Sequence, residues 1–139
     1  MSRDEAFRLI DEIEHVCYDG DFVTKEYFDA CSDSAYFLFE ETSCVGFVYA
    51  SIEDGCHYLY SISVRPEHQG RGLSKTLMEI FLNEESFGAR HDKHWLHVKE
   101  TNAVAISLYN KYGFAVTDWE DDFYEDGTRA LIMRRGDED

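Results

Sequence analysis

The stretch Val64-Arg65-Pro66-Glu67-His68-Gln69-Gly70-Arg71-Gly72-Leu73-Ser74-Lys75 decides how this chain is read. An alternating apolar run, Tyr58 to Val64, leads into it, and an amphipathic run, Leu73 to Phe87, leads out. A strand, a glycine-bearing turn and a helix in that order form a holder for phosphate. The N–H groups of the turn and the positive end of the helix converge on one small volume. Glycines at 70 and 72 allow close approach to the backbone, with no Cβ in the way. Two common phosphate loops are excluded. No G-x-x-x-x-G-K-[ST] run occurs, and position 75 is lysine where a G-x-G-x-x-G fingerprint needs its third glycine. The pattern that fits is Q/R-x-x-G-x-G/A, carried by Gln69, Gly72 and, as a small variant, Ser74.

A second segment, Leu96-His97-Val98-Lys99-Glu100-Thr101-Asn102-Ala103-Val104-Ala105-Ile106-Ser107-Leu108-Tyr109-Asn110-Lys111-Tyr112-Gly113-Phe114, reads as a strand, a capped helix and a glycine stop. Trp95 to Val98 is β-like. Asn102 is a good N-cap, able to accept from the first helical N–H groups. Apolar residues at 104, 105, 108, 109 and 112 share one helical face. Gly113 stands where a left-handed residue ends a helix.

Together these segments resemble the two hallmarks of the GNAT superfamily of N-acetyltransferases, the pyrophosphate loop and the L-x-V-x-x-x-N-x-x-A-x-x-L-Y-x-K-x-G-F run. The resemblance covers roughly residues 44 to 135. It implies an α/β fold: a mixed sheet of six to seven strands flanked by helices, with strands 57–64 and 94–98 parallel and splayed to admit a pantetheine arm. It implies acetyl-CoA as cosubstrate, held by Ile62, Ser63, Val64, Gln69, Gly70, Arg71, Gly72, Leu73, Ser74, Asn102, Tyr109 and Lys111, with no metal.

The remaining elements follow from pattern. Apolar positions 6, 7, 9, 10, 13, 16 and 17 predict a helix over 4–17. A loop at Asp19-Gly20-Asp21 precedes a short helix, Thr24 to Ala30, with Thr24 as cap. Strands are expected at 35–40, 45–52, 57–64, 94–98, 114–119 and 129–134, with turns at Glu41-Thr42-Ser43 and Glu53-Asp54-Gly55. Helices are expected at 72–87 and 103–112. Asp118 to Asp126 reads as a solvated hairpin connection turning at Asp126-Gly127. The expectation is a single domain over 1–139.

Composition narrows the partners. The net charge of −16 argues against nucleic acid, which needs a basic face. Of 13 Lys and Arg residues, Arg65, Arg71 and Lys75 fall in the phosphate segment beside His68. A basic island on an acidic chain suits an anionic cofactor and an amine-bearing acceptor, which the acidic field attracts; a solubility or high-salt device accounts for the same charge equally well. No run of 18 apolar residues occurs, so no membrane span is expected. The charged N-terminus has no apolar core of a secretory signal. Cys17, Cys31, Cys44 and Cys56 lack C-x-x-C spacing, which fits reduced thiols and a cytoplasmic setting. The chain is expected to be a monomer or homodimer.

Acyl transfer to an amine requires loss of a proton from an ammonium of pKa roughly 8 to 10, a donor for the oxyanion and an acid near the departing thiolate. The resemblance places the acid on Tyr109, with core packing the other use of its position. The oxyanion donor is expected to be a backbone N–H near Ser63 or Val64. For the base, His97 lies out of phase with Leu96 and Val98, and a free imidazole titrates near neutrality; the resemblance suggests Tyr58, on the strand before the turn, as a second position. His57, His91 and His94 are expected at the surface or in loops, and Glu100 in solvent. The run Phe123-Tyr124-Glu125-Asp126-Gly127-Thr128-Arg129-Ala130-Leu131-Ile132-Met133 resembles the ending of protein N-terminal acetyltransferases, including the ribosomal-protein type. Phe123 and Arg129 depart from that pattern, and residues 18–30 lack the leucine-proline-glutamate loop of the eukaryotic members. The acceptor thus reads as a protein or peptide α-amine or a lysine, with a small amine or a non-catalytic CoA-binding module as alternatives.

Overall fold

A computed structural model describes residues 1–18, 20–30, 33–53, 56–83 and 93–136. The turn at Asp54-Gly55, His91, Cys31, Asp19 and the expected end of the second long helix lie outside them.

The elements, in chain order, are α1 (Arg3–Cys17), α2 (Lys25–Ala30), β1 (Asp33–Glu40), β2 (Ser43–Glu53), β3 (Cys56–Val64), a 3₁₀ turn (Pro66–His68), α3 (Leu73–Leu82), β4 (His94–Lys99), α4 (Ala103–Lys111), β5 (Ala115–Glu120) and β6 (Ala130–Arg135). Local chemistry sets several boundaries. The Ser2 side chain accepts from Glu5 N–H at 3.1 Å and caps α1, whose first turn carries Asp4 and Glu5 against the helix dipole. Thr24 Oγ1 accepts from Tyr27 N–H at 3.1 Å and caps α2. Asn102 Oδ1 does the same for Ala105 N–H at 3.1 Å at the start of α4, and Gly113 at φ 91° ends it. The Asp118–Asp126 stretch is not all connection: pairing with β6 keeps β5 extended through Glu120, and the chain reverses where Gly127 N–H donates to Tyr124 O at 2.8 Å.

The strands form one mixed sheet in the order β1-β2-β3-β4-β6-β5. Its two faces bury separate clusters. Ile10, Ile13, Phe28, Phe47 and Tyr49 lie beneath α1 and α2. Val48, Leu59, Leu77, Met78, Phe81, Leu96 and Met133 lie beneath α3 and α4. Each such fully buried side chain contributes about 1.5–3 kcal/mol.

Two parallel strands in the middle of the sheet create the opening. β3 and β4 pair only at His57↔His94, Tyr58↔Trp95 and Leu59↔Leu96, and then diverge. The cause lies on the far side of β3. Its ladder to β2 passes from Ala50↔Leu59 to Tyr49↔Ser61, leaving Tyr60 as an extra residue. A bulge sharpens strand twist, and this one stands where β3 leaves β4. The other edge of β4 is held by β6 from His94↔Arg135 to Lys99↔Ala130.

The central pairing corrects one expectation. His57 and His94 are not surface residues; they are 1% and 2% exposed. They sit side by side on the face of the sheet covered by α3, with Phe81 at 5.7 and 5.2 Å from their rings. The helix packed over that face makes a polar strand residue interior. The apolar face expected for α4 also needs amending. Tyr109 packs in the core, but Val104 is 84% exposed because it borders a cleft.

Candidate active site

The turn after β3 is built from backbone conformations only glycine adopts easily. Gly70 and Gly72 have φ of 82° and 81°, and a Cβ at either would point into space with no atom within 4 Å. Gly72 is the residue before α3, so the first amides of that helix are without helical partners and face outward. Opposite stands α4. Between them lies a cleft of about 510 Å³, lined by Gly70, Gly72, Leu73, Ser74 and Lys75 on one wall and Ala103, Val104, Ser107, Leu108 and Lys111 on the other. Open backbone space, helix-start amides and two lysines make a cradle that suits a diphosphate, with Val104 and Leu108 as apolar floor. That is the fit expected of a CoA nucleotide.

The other expected cofactor residues frame this cleft without lining it. Gln69 donates through Nε2 to Val64 O at 2.9 Å, tying the turn to the end of β3. Arg71 pairs with Glu40 and lies 2.9 Å from His68 Nδ1. Arg65 pairs with Glu12 at 2.6 Å. The basic island is therefore largely neutralised by carboxylates of β1 and α1, and Lys75 and Lys111 are the cations at the cleft. Asn102 spends its side-chain oxygen on the helix cap.

The edge of β3 facing the opening follows from its ladder. Arg65 N–H donates to Val45 O across β2 at 2.9 Å. By alternation the amide of Ser63 also faces β2, whereas those of Ile62 and Val64 face the opening. Their carbonyls confirm the direction: Ile62 O accepts from Tyr18 Oη at 3.0 Å, and Val64 O from the Gln69 side chain. A main-chain oxyanion donor at this edge is thus Val64 or Ile62, not Ser63.

Tyrosines meet at the opening from both faces. Tyr109 rises from α4, 7% exposed. Burial pushes its phenol well above the ordinary value of 10, and the phenols of Tyr18 and Tyr124 add to the rise. Burial likewise raises Tyr124, with Asp21 and Tyr18 contributing. Tyr18 had no signal in the sequence; its hydroxyl reaches Ile62 O and receives a bond from Ser63 Oγ at 3.4 Å.

His97 and Tyr58 come together on the α1 face. Tyr58 Oη lies 2.8 Å from His97 Nδ1, and His97 Nε2 lies 3.1 Å from Glu120 Oε1. Phe123 stacks on the imidazole at 4.2 Å between centroids. Beside them, two loops clasp across the opening. Asp21 N–H donates to Glu125 Oε2 at 2.6 Å, and Glu125 N–H donates to Asp21 Oδ1 at 3.0 Å. One end of this strap rests on β3 through Tyr18, and the other on β4 through Phe123 and through Lys99, which binds Asp126 at 3.1 Å. Hydrogen bonds from Thr128 and then Lys99 pull the Asp126 carboxyl down to about 2.

The cleft between the Gly70–Lys75 turn and α4, and the parting of the parallel strands β3 and β4, match the arrangement that the sequence resemblance implied. The sequence model of the acetyltransferase (GNAT) family matches residues 4–114, and the chain belongs to that family. Among its relatives is a [ribosomal protein bS18]-alanine N-acetyltransferase of Escherichia coli (strain K12), 37% identical over 79 residues, 54% of this chain and 52% of the relative. An N-alpha-acetyltransferase of Saccharolobus solfataricus is 27% identical over 107 residues, 68% of this chain and 64% of the relative. The match to the bacterial relative thus spans about half of that protein's length. The fold is shared with the crystal structure of the ribosomal-protein-S18-alanine N-acetyltransferase from Escherichia coli, at TM-score 0.80 and 24% identity over 95% of this chain and 88% of that one. It is also shared with Arabidopsis thaliana Naa50 in complex with the bisubstrate analogue CoA-Ac-MVNAL, at TM-score 0.80 and 20% identity over 98% and 95%.

Proposed function

We propose that this chain is an acetyl-CoA-dependent N-acetyltransferase that acetylates the α-amine of a protein or peptide. The observation that carries this reading is the cleft between the Gly70–Lys75 turn and α4, together with the opening left where β3 and β4 part. Acetyl-CoA supplies an activated thioester; the chain's residues hold it and manage protons. The α3 amides, Lys75 and Lys111 take the diphosphate, and the free edge of β3 lines the arm.

The amine attacks the thioester carbonyl from the α1 face. The new C–N bond forms as the carbonyl oxygen takes up charge, which the Val64 N–H stabilises. The amine's proton passes to the Tyr58–His97 pair, and the C–S bond breaks. Tyr109 donates a hydrogen bond to the departing sulfur. Its raised pKa sets the limit of that role: a thiolate of ordinary pKa near 8.5 is a weaker base than the Tyr109 phenolate, so the tyrosine stabilises the leaving group while keeping its own proton.

One feature supports a peptide amine over a small one: the named relatives include an alanine N-acetyltransferase and an N-alpha-acetyltransferase. The carboxylates of the Asp21–Glu125 clasp favour a cationic acceptor of either kind. Mass spectrometry of a mixed panel of N-terminal peptides, lysine peptides and polyamines, with thiol release read in parallel, tests this. Acetylated peptide α-amines are expected. Products confined to small amines would transfer the reading to that class, and cofactor binding without thiol release would make the chain a CoA-binding module.

A further inference from the structure

The His97 ring has both nitrogens engaged, and the partners differ in kind. Glu120 Oε1 stands 3.1 Å from Nε2, and an ionised carboxylate can only accept, so Nε2 carries the hydrogen. In a neutral imidazole this leaves Nδ1 as the acceptor, and the Tyr58 hydroxyl at 2.8 Å must then donate to it. The ring is further held by Phe123 stacked on one side and by Trp95, whose centroid is 5.4 Å away. Its side chain is only 10% exposed. With both nitrogens engaged, the imidazole has none to offer an incoming amine directly.

We infer that Glu120 is a positioning residue of a Glu120–His97–Tyr58 relay, in which the Tyr58 hydroxyl is the group that receives the amine's proton. This rests on the acetyltransferase reading above. As the C–N bond forms, the amine's N–H proton passes to the Tyr58 oxygen while the Tyr58 proton moves to His97 Nδ1. The relay ends as an imidazolium against the Glu120 carboxylate, and Tyr58 is again a neutral phenol. Two basic groups on the neighbouring strands are committed elsewhere. Lys99 on β4 binds Asp126, and Arg134 on β6 donates to Thr117 Oγ1 at 2.6 Å and lies over Trp95. Glu120, half exposed at the end of β5, is thus the residue that orders the relay without closing it off.

The test uses the full chain with ¹⁵N-labelled histidine, the His97 signals being identified by comparison with His97→Gln. At a pH where the ring is neutral, the Nε2–H tautomer is expected. Glu120→Ala should give a mixed or Nδ1–H population, while Glu120→Gln, whose amide oxygen still accepts, should keep the tautomer but lose the charge. In steady-state acetylation, a positioned base contributes about 10²–10⁴-fold, so Glu120→Ala should lower kcat at least tenfold with KM for acetyl-CoA unchanged, and Glu120→Gln should fall between. An Nδ1–H tautomer in the unmodified chain, or wild-type kcat in Glu120→Ala, overturns the relay. Should the unmodified chain acetylate no amine in the panel, the functional reading falls and the catalytic role of the relay with it. An unchanged ring spectrum in Glu120→Ala beside an active unmodified chain overturns the relay alone.

Discussion

On the α3–α4 side of the opening the groups proposed to bind the cofactor are mainly main-chain amides of one continuous turn, Gln69 to Lys75, joined by the Lys75 and Lys111 side chains. On the α1–α2 side they are side chains drawn from as far apart as Asp21 and Glu125. The first half needs little besides two positive φ angles and a helix start, both local properties of the chain. The second exists only when α1, β3, β4 and the β5–β6 connection are assembled. The first suits a ligand common to a whole family. The second is where members of one family can differ in what they acetylate, because each of its contacts can change without disturbing the turn.

Damage to the backbone half is expected to have the largest effect. Gly72→Glu forces a side chain onto a left-handed residue and places a carboxylate at the cleft. Acetyl-CoA affinity by calorimetry should fall at least about hundredfold, or about 2.7 kcal/mol. An unchanged affinity would remove the turn from cofactor binding. Tyr109→Phe lies between the halves and sharpens the contrast. It should lower kcat by about tenfold to hundredfold and leave acetyl-CoA affinity intact. Wild-type turnover would return Tyr109 to a purely packing role.

Glu125→Ala probes the side-chain half. It removes the bond from Asp21 N–H, worth about 0.5–1.5 kcal/mol, so KM for the peptide should rise up to about tenfold with cofactor affinity unaffected. An unaltered KM would mean that the clasp does not bound the acceptor.

The smallest effect concerns stability. Glu14 is a buried carboxylate that accepts from Val23 N–H at 2.7 Å and from Ser61 Oγ at 2.8 Å, tying the α1–α2 loop to β3. Burial raises its pKa above the ordinary 4.5, against those hydrogen bonds, which lower it. The folded chain thus binds this proton more tightly than the unfolded chain. The associated stability is fully present below 4.5 and is lost as pH rises through the raised folded value. Glu14→Gln should flatten that loss. Its Tm relative to the unmodified chain should climb as pH is raised from about 4 towards neutrality, by about 4 °C for each kcal/mol recovered. A constant difference across that range would show that Glu14 titrates alike in both states.

The legibility of the two halves follows the same division. The Gly70–Gly72 turn, the Asn102 cap, the Gly113 stop and most strand limits are legible because each is fixed by neighbours within a few residues. Tyr18, Asp21 and Glu120 carried no signal, since their roles depend on partners such as Ile62, Glu125 and His97 from other elements. The burial of His57 and His94 is hidden from the sequence for a related reason. Alone, each is a polar residue at a strand end; paired across β3 and β4 beneath Phe81, each is interior.

By itself the sequence determined that a glycine turn would open a helix, and that a capped helix would follow a short strand. Those outcomes are set by dihedral preference and periodicity, which act over one or two turns of chain. Only the tertiary structure decided that the Tyr60 bulge would turn β3 from β4, that Val64 rather than Ser63 would face the gap, and that Glu120 would reach His97. Those depend on strand order and register, which are chosen by burying the two sheet faces together.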